Sequence, residues 1–178
     1  MSIAAEGALK IVITGPFDTG KSQFIITISE IEVVSTERKI TTEDRQIKSE
    51  TTVAMDFGRF TLAGRAWHLF GTPGQSRFEF MWEILAKEMD GFILLIDSTK
   101  PEDFGQAQRL INLFTRISPV PFVVAANKQD IPGAIRHHQV RAALDLPPDV
   151  LVLPCVATDR DSVYSVLVQL DHAIKFRD

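Results

Sequence analysis

Runs of apolar residues, separated by segments with helical spacing, set the pattern of this chain. Four runs are continuous enough to predict strands that are buried on both faces of a sheet. They are residues 9–13, 91–97, 121–127 and 150–156. Two further runs, residues 52–60 and 66–71, are joined through residues 62–65 and predict a β-hairpin, which gives the sheet an antiparallel edge.

Apolar residues recur at helical spacing between these strands. A helix is predicted over residues 22–28, and a shorter one over residues 139–144, which Pro147 and Pro148 would end. Two longer stripes are expected to face the core. They comprise Phe104, Ala107, Gln108, Ile111 and Phe114 in one helix, and Val163, Val166, Leu167, Leu170 and Ile174 in the other.

Residues 35–51 interrupt this alternation. The segment is polar and mixed in charge, with two isoleucines and no useful periodicity, so we predict a mobile loop. A connection of this length usually carries function, and a solvated linker is the alternative. The elements together predict a doubly wound α/β fold with six mostly parallel strands, one antiparallel edge strand and helices on both faces.

Composition favours one compact domain over residues 1–178. Of the 178 residues, 45% are hydrophobic and 24% are charged, which is enough for a core without disulfides or metals. The net charge of -4 provides no basic field, so a nucleic-acid partner is not expected. The single cysteine, Cys155, lies in an apolar run and is predicted to be a buried small hydrophobe in a reducing compartment.

The sequence predicts no membrane anchor. No segment approaches the roughly 20 apolar residues that span a bilayer, and residues 1–10 lack the core of a signal peptide. There is no glycine after Met1 and no cysteine among residues 174–178, so myristoylation and prenylation have no acceptor. We therefore expect a cytoplasmic protein.

Residues 15–22, GPFDTGKS, form the pattern G-x-x-x-x-G-K-[ST] between the first strand and the first helix. Gly15 and Gly20 allow a tight loop whose backbone N–H groups, with the helix N-terminus, attract a polyphosphate. Lys21 would reach the β- and γ-phosphates, and the Ser22 hydroxyl would bind Mg²⁺. The predicted phosphate-binding residues in this loop are Gly15, Asp18, Thr19, Gly20, Lys21, Ser22 and Gln23.

The tetrad NKQD, at residues 127–130, follows a buried strand at the same edge of the predicted sheet. The Asp130 carboxylate can accept hydrogen bonds from guanine N1–H and N2–H₂, a pair of donors that adenine lacks. Asn127 would tie neighbouring loops and contact the base, and the stem of Lys128 would lie along the base. Guanine is therefore predicted, and a kinase that uses ATP is disfavoured.

These motifs resemble the Ras superfamily of small GTPases across almost the whole chain. The resemblance rests on GPFDTGKS, the threonine of TTVAMDFG, TPGQ at residues 72–75, NKQD, and a weaker motif at Ala157 and Thr158. NKQDIPGA and the helix around Trp82 are similar to Arf-type proteins, and the lead into TPGQ is similar to bacterial Mgl-type GTPases. The resemblance implies a P-loop NTPase that binds GTP or GDP with Mg²⁺ and hydrolyses GTP.

The resemblance also implies roles for single residues. Thr52 would be the switch I threonine, which binds Mg²⁺ together with Ser22, and Gly74 would supply the switch II amide that senses the γ-phosphate. Gln75 would orient the attacking water, and an exposed loop glutamine is its alternative. The implied catalytic residues are Gln75, Lys21 and Thr52, and the implied guanine-binding residues are Asn127, Lys128, Asp130, Ala157 and Thr158.

One departure from the superfamily pattern concerns the metal. Gly71 stands where most members have an aspartate that holds Mg²⁺ through water, and no carboxylate replaces it locally. Mg²⁺ is therefore expected to depend on Ser22, Thr52 and the phosphates and to bind more weakly. Asp56 is the nearest upstream carboxylate, but strand alternation leaves its direction open.

A second departure concerns the rate of hydrolysis. Phe17 would crowd the space through which an external arginine reaches the γ-phosphate, so slow hydrolysis is predicted, with Arg38 or Arg45 as a candidate internal arginine. The sequence therefore favours a regulatory GTPase with slow turnover. The alternative is a signalling scaffold that holds GTP or GDP without hydrolysis.

The helix after TPGQ is predicted to have two apolar faces. One stripe is expected to face the core; it comprises Phe78, Met81, Trp82, Leu85 and Met89. Phe80 and Ile84 point the other way and are candidate anchors for a regulatory protein, with scattered surface hydrophobes as the alternative. Because Mgl-type relatives work with roadblock-fold dimers, the resemblance implies such a dimer as the partner.

Overall fold

The structure, a computed structural model, describes residues 7–44, 47–73 and 79–177. Seven strands within these ranges form one sheet: β1 Leu9–Thr14, β2 Val34–Asp44, β3 Ile47–Leu62, β4 Arg65–Gly71, β5 Gly91–Asp97, β6 Phe122–Asn127 and β7 Leu151–Pro154. Their order across the sheet is β2-β3-β4-β1-β5-β6-β7. Five neighbouring strands run parallel, namely β4, β1, β5, β6 and β7, whereas β3 pairs antiparallel with β2 and with β4. The predicted α/β class is confirmed, with seven strands rather than six.

Helices cover both faces of this sheet. Those of the described residues are α1 Lys21–Ile28, α2 Glu79–Ala86, α3 Phe104–Ile117, α4 His137–Ala143 and α5 Arg160–Lys175, and a short 3₁₀ turn precedes α3. One core cluster lies under α1 and α5, and the other lies under α2, α3 and α4. Within the described ranges, no helix has both the length and the apolar character needed to cross a bilayer.

Most predicted core positions of the long helices are confirmed, whereas Gln108 in α3 and Ile174 in α5 are only partly buried. The prediction that residues 150–156 form a strand buried on both faces is wrong, because β7 lies at the edge of the sheet and Leu151 and Pro154 are exposed. Every residue of β5 is buried, as expected of a strand covered on both faces. Cys155 is also buried, and burial raises the pKa of its thiol to about 12, so the thiol stays protonated and unreactive. The buried helical positions are Phe104, Ala107, Ile111 and Phe114 in α3, and Val163, Val166, Leu167 and Leu170 in α5.

The prediction of a loop over residues 35–51 is wrong. Residues 34–44 form the edge strand β2, which pairs with β3 through eleven residue pairs from Val34↔Phe57 to Asp44↔Ile47. The segment holds β-branched residues such as Thr41 and Thr42, which favour extended backbone, although its charges hide the alternation that marks a half-buried strand. An edge ribbon needs only backbone pairing on one side, so apolar periodicity is not required of it.

The predicted hairpin is confirmed, although residues 47–55 of β3 pair with β2 and not with β4. β3 and β4 pair antiparallel from Asp56↔Gly71 to Leu62↔Arg65. Ala63 and Gly64 form the turn, with φ values of 51° and 78°. Two successive positive φ values are the geometry of a two-residue turn that matches the twist of the flanking strands.

Both faces of α2 are as predicted within the described residues. Met81, Trp82, Leu85 and Met89 are buried, and the Trp82 indole donates a hydrogen bond to the carbonyl of Pro73 at 2.6 Å. That bond fixes the helix to the end of the segment after β4. On the opposite face are two exposed apolar side chains, Phe80 at 46% and Ile84 at 57% exposure. Phe78 lies outside the described residues.

Candidate functional site

The loop between β1 and α1 is held in a shape that requires its glycines. Gly15 has φ +149°, and a Cβ there would collide with the carbonyl oxygen of Leu95. Gly20 has φ +101°, and a Cβ there would lie 2.5 Å from the side-chain nitrogen of Asn127. Thr19 closes the loop by donating its hydroxyl to the Pro16 carbonyl at 3.0 Å. The backbone therefore has the tight turn into a helix N-terminus that suits a bound phosphate chain.

Lys21 lies at the start of α1 and folds back over its own loop. Its ammonium donates to the carbonyl oxygens of Gly15 at 2.9 Å and Pro16 at 2.7 Å. Burial lowers the pKa of Lys21 to about 8, and the negative charges of Asp56 and Asp18 act in the opposite direction. The ammonium is thus kept close to the loop, where the negative charge of a polyphosphate would stabilise the protonated form that burial disfavours.

Asn127, the last residue of β6, joins three segments. Its side-chain NH₂ donates to the Thr19 carbonyl at 2.8 Å, and its side-chain oxygen accepts from the Ala157 N–H at 2.9 Å. Asn127 is buried, so both groups of its amide are satisfied within the protein. The phosphate loop, the NKQD segment and the loop after β7 are therefore held at fixed distances from one another.

Lys128 and Asp130 differ in their surroundings. The Lys128 ammonium binds the Asp97 carboxylate at 2.7 Å and the Asp18 carbonyl at 3.2 Å. Burial acts to raise the pKa of Asp97, but hydrogen bonds from Lys128 and Thr99 outweigh it, so this pKa lies below its usual value. Asp130 is exposed, and within the part of the chain that the structure describes its carboxylate makes no hydrogen bond or ion pair. The acceptor predicted for guanine is open to solvent.

Further contacts hold the NKQD segment and the loop after β7 in place. Gln129 donates its side-chain NH₂ to the hydroxyl of Ser98 and to the carbonyl of Ile135, each at 2.8 Å. In the loop after β7, the Ala157 carbonyl accepts a hydrogen bond from the Thr27 hydroxyl at 2.5 Å, whereas Thr158 is exposed. These bonds connect the NKQD segment to the end of β5 and the last loop to α1.

Ser22 is exposed to solvent, and its hydroxyl also contacts the neighbouring strand β3. Its hydroxyl donates a short hydrogen bond to one carboxylate oxygen of Asp56, and the other oxygen accepts from the Ser35 hydroxyl at 2.8 Å. Asp56 pairs with Gly71 across the β3–β4 ladder. The direction of Asp56, which the sequence left open, is therefore toward the phosphate loop.

The structure does not bring Thr52 to Ser22. Thr52 pairs with Lys39 in the β2–β3 ribbon, four residues along β3 from Asp56, which is about 13 Å at the usual rise of an extended strand. Its side chain lies outside the described part of the structure, as does that of Arg38. Gly74, Gln75 and Arg45 also lie outside the described residues, so their assigned roles stay predictions.

Three other predicted residues are at the rim of the phosphate loop. Phe17 is 63% exposed. Asp18 is exposed and lies 3.5 Å from the Lys100 ammonium. Gln23 donates its side-chain NH₂ to the Thr27 hydroxyl at 3.0 Å, one turn further along α1.

Sequence reasoning missed three residues that shape the site, namely Asp97, Gln129 and Ser35, and it left the direction of Asp56 open. Asp97 gave a signal, because it ends a buried strand at the edge where phosphate and base motifs meet. Gln129 and Ser35 gave none, because their partners depend on strand register and on loop geometry that no local pattern reports.

The chain is similar to several known proteins. A profile of the family described as "conserved hypothetical ATP binding protein" matches residues 13–176. ADP-ribosylation factor-like protein 4C of Homo sapiens is 25% identical over 148 residues, which are 82% of this chain and 73% of that protein. Mutual gliding-motility protein MglA of Myxococcus xanthus is 25% identical over 146 residues, which are 76% of this chain and 75% of that protein.

A solved structure shares the fold. The Arl6 BBS3 small GTPase from Trypanosoma brucei, with bound nucleotide analogue GppNp, matches with a TM-score of 0.75 at 19% identity, over 96% of this chain and 99% of that chain. The sheet, the phosphate loop and the relatives define a Ras-superfamily small GTPase close to Arf-like and Mgl-type proteins. The chain belongs to the family described as "conserved hypothetical ATP binding protein".

Proposed function

We propose that this protein is a guanine-nucleotide switch that binds GTP or GDP with Mg²⁺ and hydrolyses GTP slowly. The observation that carries the proposal is the buried Asn127 side chain, which bonds the phosphate loop at Thr19 and the last loop at Ala157. One side chain thereby sets the separation between the site for the phosphates and the site for the base. That arrangement suits a ligand that has both parts.

Asp130 provides the test of base specificity. In Asp130→Asn, the amide would donate to the C2 oxygen of xanthine, where guanine instead has an N2–H₂ donor. We expect the variant to lose GDP affinity by about tenfold or more, since a mismatched polar pair costs about 1–3 kcal/mol, and to gain affinity for xanthosine diphosphate. Calorimetric titration with both nucleotides measures this. Asp149→Asn, an equal change of charge at an exposed site, should change neither affinity.

ATP is a second candidate ligand, because the description of the matching family names ATP. The tetrad NKQD speaks against adenine, which lacks the two donors that a carboxylate at Asp130 requires. Competition of unlabelled GTP and ATP against a fluorescent GDP separates the two. Displacement by ATP at concentrations similar to those of GTP would overturn the guanine assignment.

Hydrolysis would transfer the γ-phosphoryl group to water. The bond between the γ-phosphorus and the bridging oxygen breaks, and GDP and inorganic phosphate leave. Lys21 would neutralise the phosphate charge, and Gln75 would orient the water, which is a role implied by the position of Gln75 in TPGQ. Mg²⁺ prefers oxygen ligands and is often bound partly by phosphates. The exposed Ser22 hydroxyl could supply one such oxygen ligand.

A switch that binds without hydrolysis is the alternative within the same site. Phe17 extends 63% exposed from the phosphate loop, where it would restrict access of an external arginine. Single-turnover phosphate release with protein in excess over GTP decides between the two. A measurable rate that Gln75→Leu lowers supports the GTPase, whereas equal release with and without protein supports the scaffold.

The proposed partner surface is the exposed face of α2. Phe80 and Ile84 lie on the helix that follows the predicted switch II segment, so their position would respond to the γ-phosphate. A regulatory protein would bind there, and the resemblance to Mgl-type proteins makes a roadblock-fold dimer the candidate.

A further inference from the structure

The strongest unassigned feature is the carboxylate of Asp56. It lies beside the phosphate loop, on β3, and both of its oxygens accept hydrogen bonds from serine hydroxyls. One of these is Ser22, the motif serine whose hydroxyl is proposed to bind Mg²⁺. A hydroxyl that donates its proton to a carboxylate keeps its oxygen lone pairs for a cation, and a carboxylate with two bonds keeps further acceptor sites.

Gly71 explains why Asp56 fits there. The two residues are directly paired, and a Cβ on Gly71 would lie 3.4 Å from the Asp56 Cβ and 3.6 Å from one carboxylate oxygen. An aspartate at position 71 would therefore bring a second carboxylate near the first, and two such charges repel. Its Cβ would also lie 3.0 Å from the Cδ1 atom of Ile25. Glycine at position 71 thus leaves room for the carboxylate of Asp56 on the paired strand.

We propose that Asp56 is the carboxylate of the Mg²⁺ site, supplied by β3 in place of the position at the end of β4, with Ser35 as its positioning residue. This inference rests on the proposed function, since the phosphates of the nucleotide complete the site. It replaces the expectation that no local carboxylate compensates for Gly71. Mg²⁺ takes one or two carboxylates and shares the rest of its coordination with phosphates and water, which Asp56 and Ser22 satisfy.

The test is the Mg²⁺ dependence of GDP binding, measured as the dissociation rate of a fluorescent GDP over a series of free Mg²⁺ concentrations. In the parent protein, chelation of Mg²⁺ should speed release. Asp56→Asn should raise the Mg²⁺ concentration for half-maximal retention by about 10- to 100-fold, while GDP affinity in chelator does not fall. Glu32→Gln, an equal charge change at an exposed site outside the cluster, should behave as the parent protein does.

Mn²⁺ as a probe gives a readout independent of nucleotide release. Electron paramagnetic resonance of Mn²⁺ with the GDP complex should show weaker metal binding in Asp56→Asn. Ser35→Ala should weaken metal binding less than Asp56→Asn does, and Ser35→Thr should restore it, because the threonine hydroxyl can hold the same carboxylate oxygen. In the double variant Asp56→Ala with Gly71→Asp, the relocated carboxylate should recover part of the metal affinity that Asp56→Ala loses.

Two outcomes would overturn the inference. The first is a parent-like Mg²⁺ dependence in Asp56→Asn. The second is an equal loss of GDP affinity with and without Mg²⁺, which would mean that Asp56 only shapes the loop. Failure of the proposed function is distinct, because the parent protein would then bind no GDP under either condition. If Asp56→Asn does not fold, Ser35→Ala and Ser35→Thr give the same comparison.

Discussion

Lys21 makes nucleotide affinity depend on pH. Burial lowers its pKa to about 8, and bound phosphates would raise it, so the protonated lysine is favoured in the complex. Affinity for GDP should be constant below about pH 8 and should fall as pH rises through that value, by up to about tenfold per pH unit. Calorimetry in two buffers of different ionisation enthalpy should detect proton uptake on binding near pH 8.5.

Lys21→Arg is the matched control for this effect, because arginine stays protonated throughout that range. Titration of the guanine base itself is common to both proteins and cancels in the comparison. Parallel pH profiles for the parent protein and Lys21→Arg would show that the lysine does not titrate in the free protein.

Gly20 carries a second prediction at the scale of one residue. In Gly20→Ala, the new methyl group would lie 2.5 Å from the Asn127 amide, on a backbone with φ +101°. We expect a loss of about 1–3 kcal/mol in the free energy of unfolding and weaker GDP binding, since the Asn127 contact must move. Denaturant unfolding and GDP titration measure the two effects.

Gly105→Ala provides the comparison for Gly20→Ala. Gly105 lies in α3, and nothing is within 4 Å of a Cβ there. Alanine favours the helix, so this variant should be unchanged or more stable by up to about 1 kcal/mol. A similar loss in both variants would refute a specific role for the Gly20 contact.

Single residues were predictable where a local motif defines them. Asn127, Lys128 and Lys21 sit in fixed patterns at strand ends, and the sheet topology then brings the patterns to one edge. Asp56 was not assignable, because its direction depends on whether β3 pairs with β4 in one register or the next. A one-residue shift would point the same side chain to the other face.

At the scale of elements, strongly apolar strands and amphipathic helices were predictable, and β2 was not. β1, β5 and β6 are buried inside the sheet, because burial on both faces imposes an apolar run. β7 was also predicted to be buried on both faces, but it lies at the edge of the sheet opposite β2. β2 lies at the edge and pairs only with β3, so its polar sequence carries little signal. The segment predicted as a functional loop is instead a long strand.

This ribbon bears on the predicted role of Thr52. Thr52 lies in β3 about 13 Å along the strand from Asp56, so it reaches the metal site only if the β2–β3 pairing changes. Amide exchange over residues 34–44 and 47–57 should therefore differ between the GDP complex and the complex with a non-hydrolysable GTP analogue. Equal protection in the two complexes would remove Thr52 from the set of γ-phosphate contacts.

The exposed face of α2 carries the next prediction at this scale. Phe80→Ala and Ile84→Ala should each change the free energy of unfolding by no more than about 0.5 kcal/mol, because both side chains are exposed. Each should weaken binding of a roadblock-fold dimer from the same organism to the GTP-loaded protein by about tenfold or more. Surface plasmon resonance measures this affinity.

Tyr164→Ala is the control for α2. Tyr164 is 45% exposed on α5, which packs on the other face of the sheet, so its loss should leave partner affinity unchanged. Parent-like affinity of both α2 variants would place the partner elsewhere.

At the scale of the whole molecule, one sheet connects the two core clusters, since β1 contributes Ile13 to one and Val12 to the other. We propose that the chain unfolds as one domain. Scanning calorimetry should show one transition, and GDP with Mg²⁺ at a hundredfold excess over the dissociation constant should stabilise it by about 2.7 kcal/mol, or about 5–10 °C. ADP at the same concentration should shift the transition far less. Two separate transitions, of which GDP moves only one, would contradict a single cooperative unit, because the proposed ligand contacts loops that follow β1, β6 and β7.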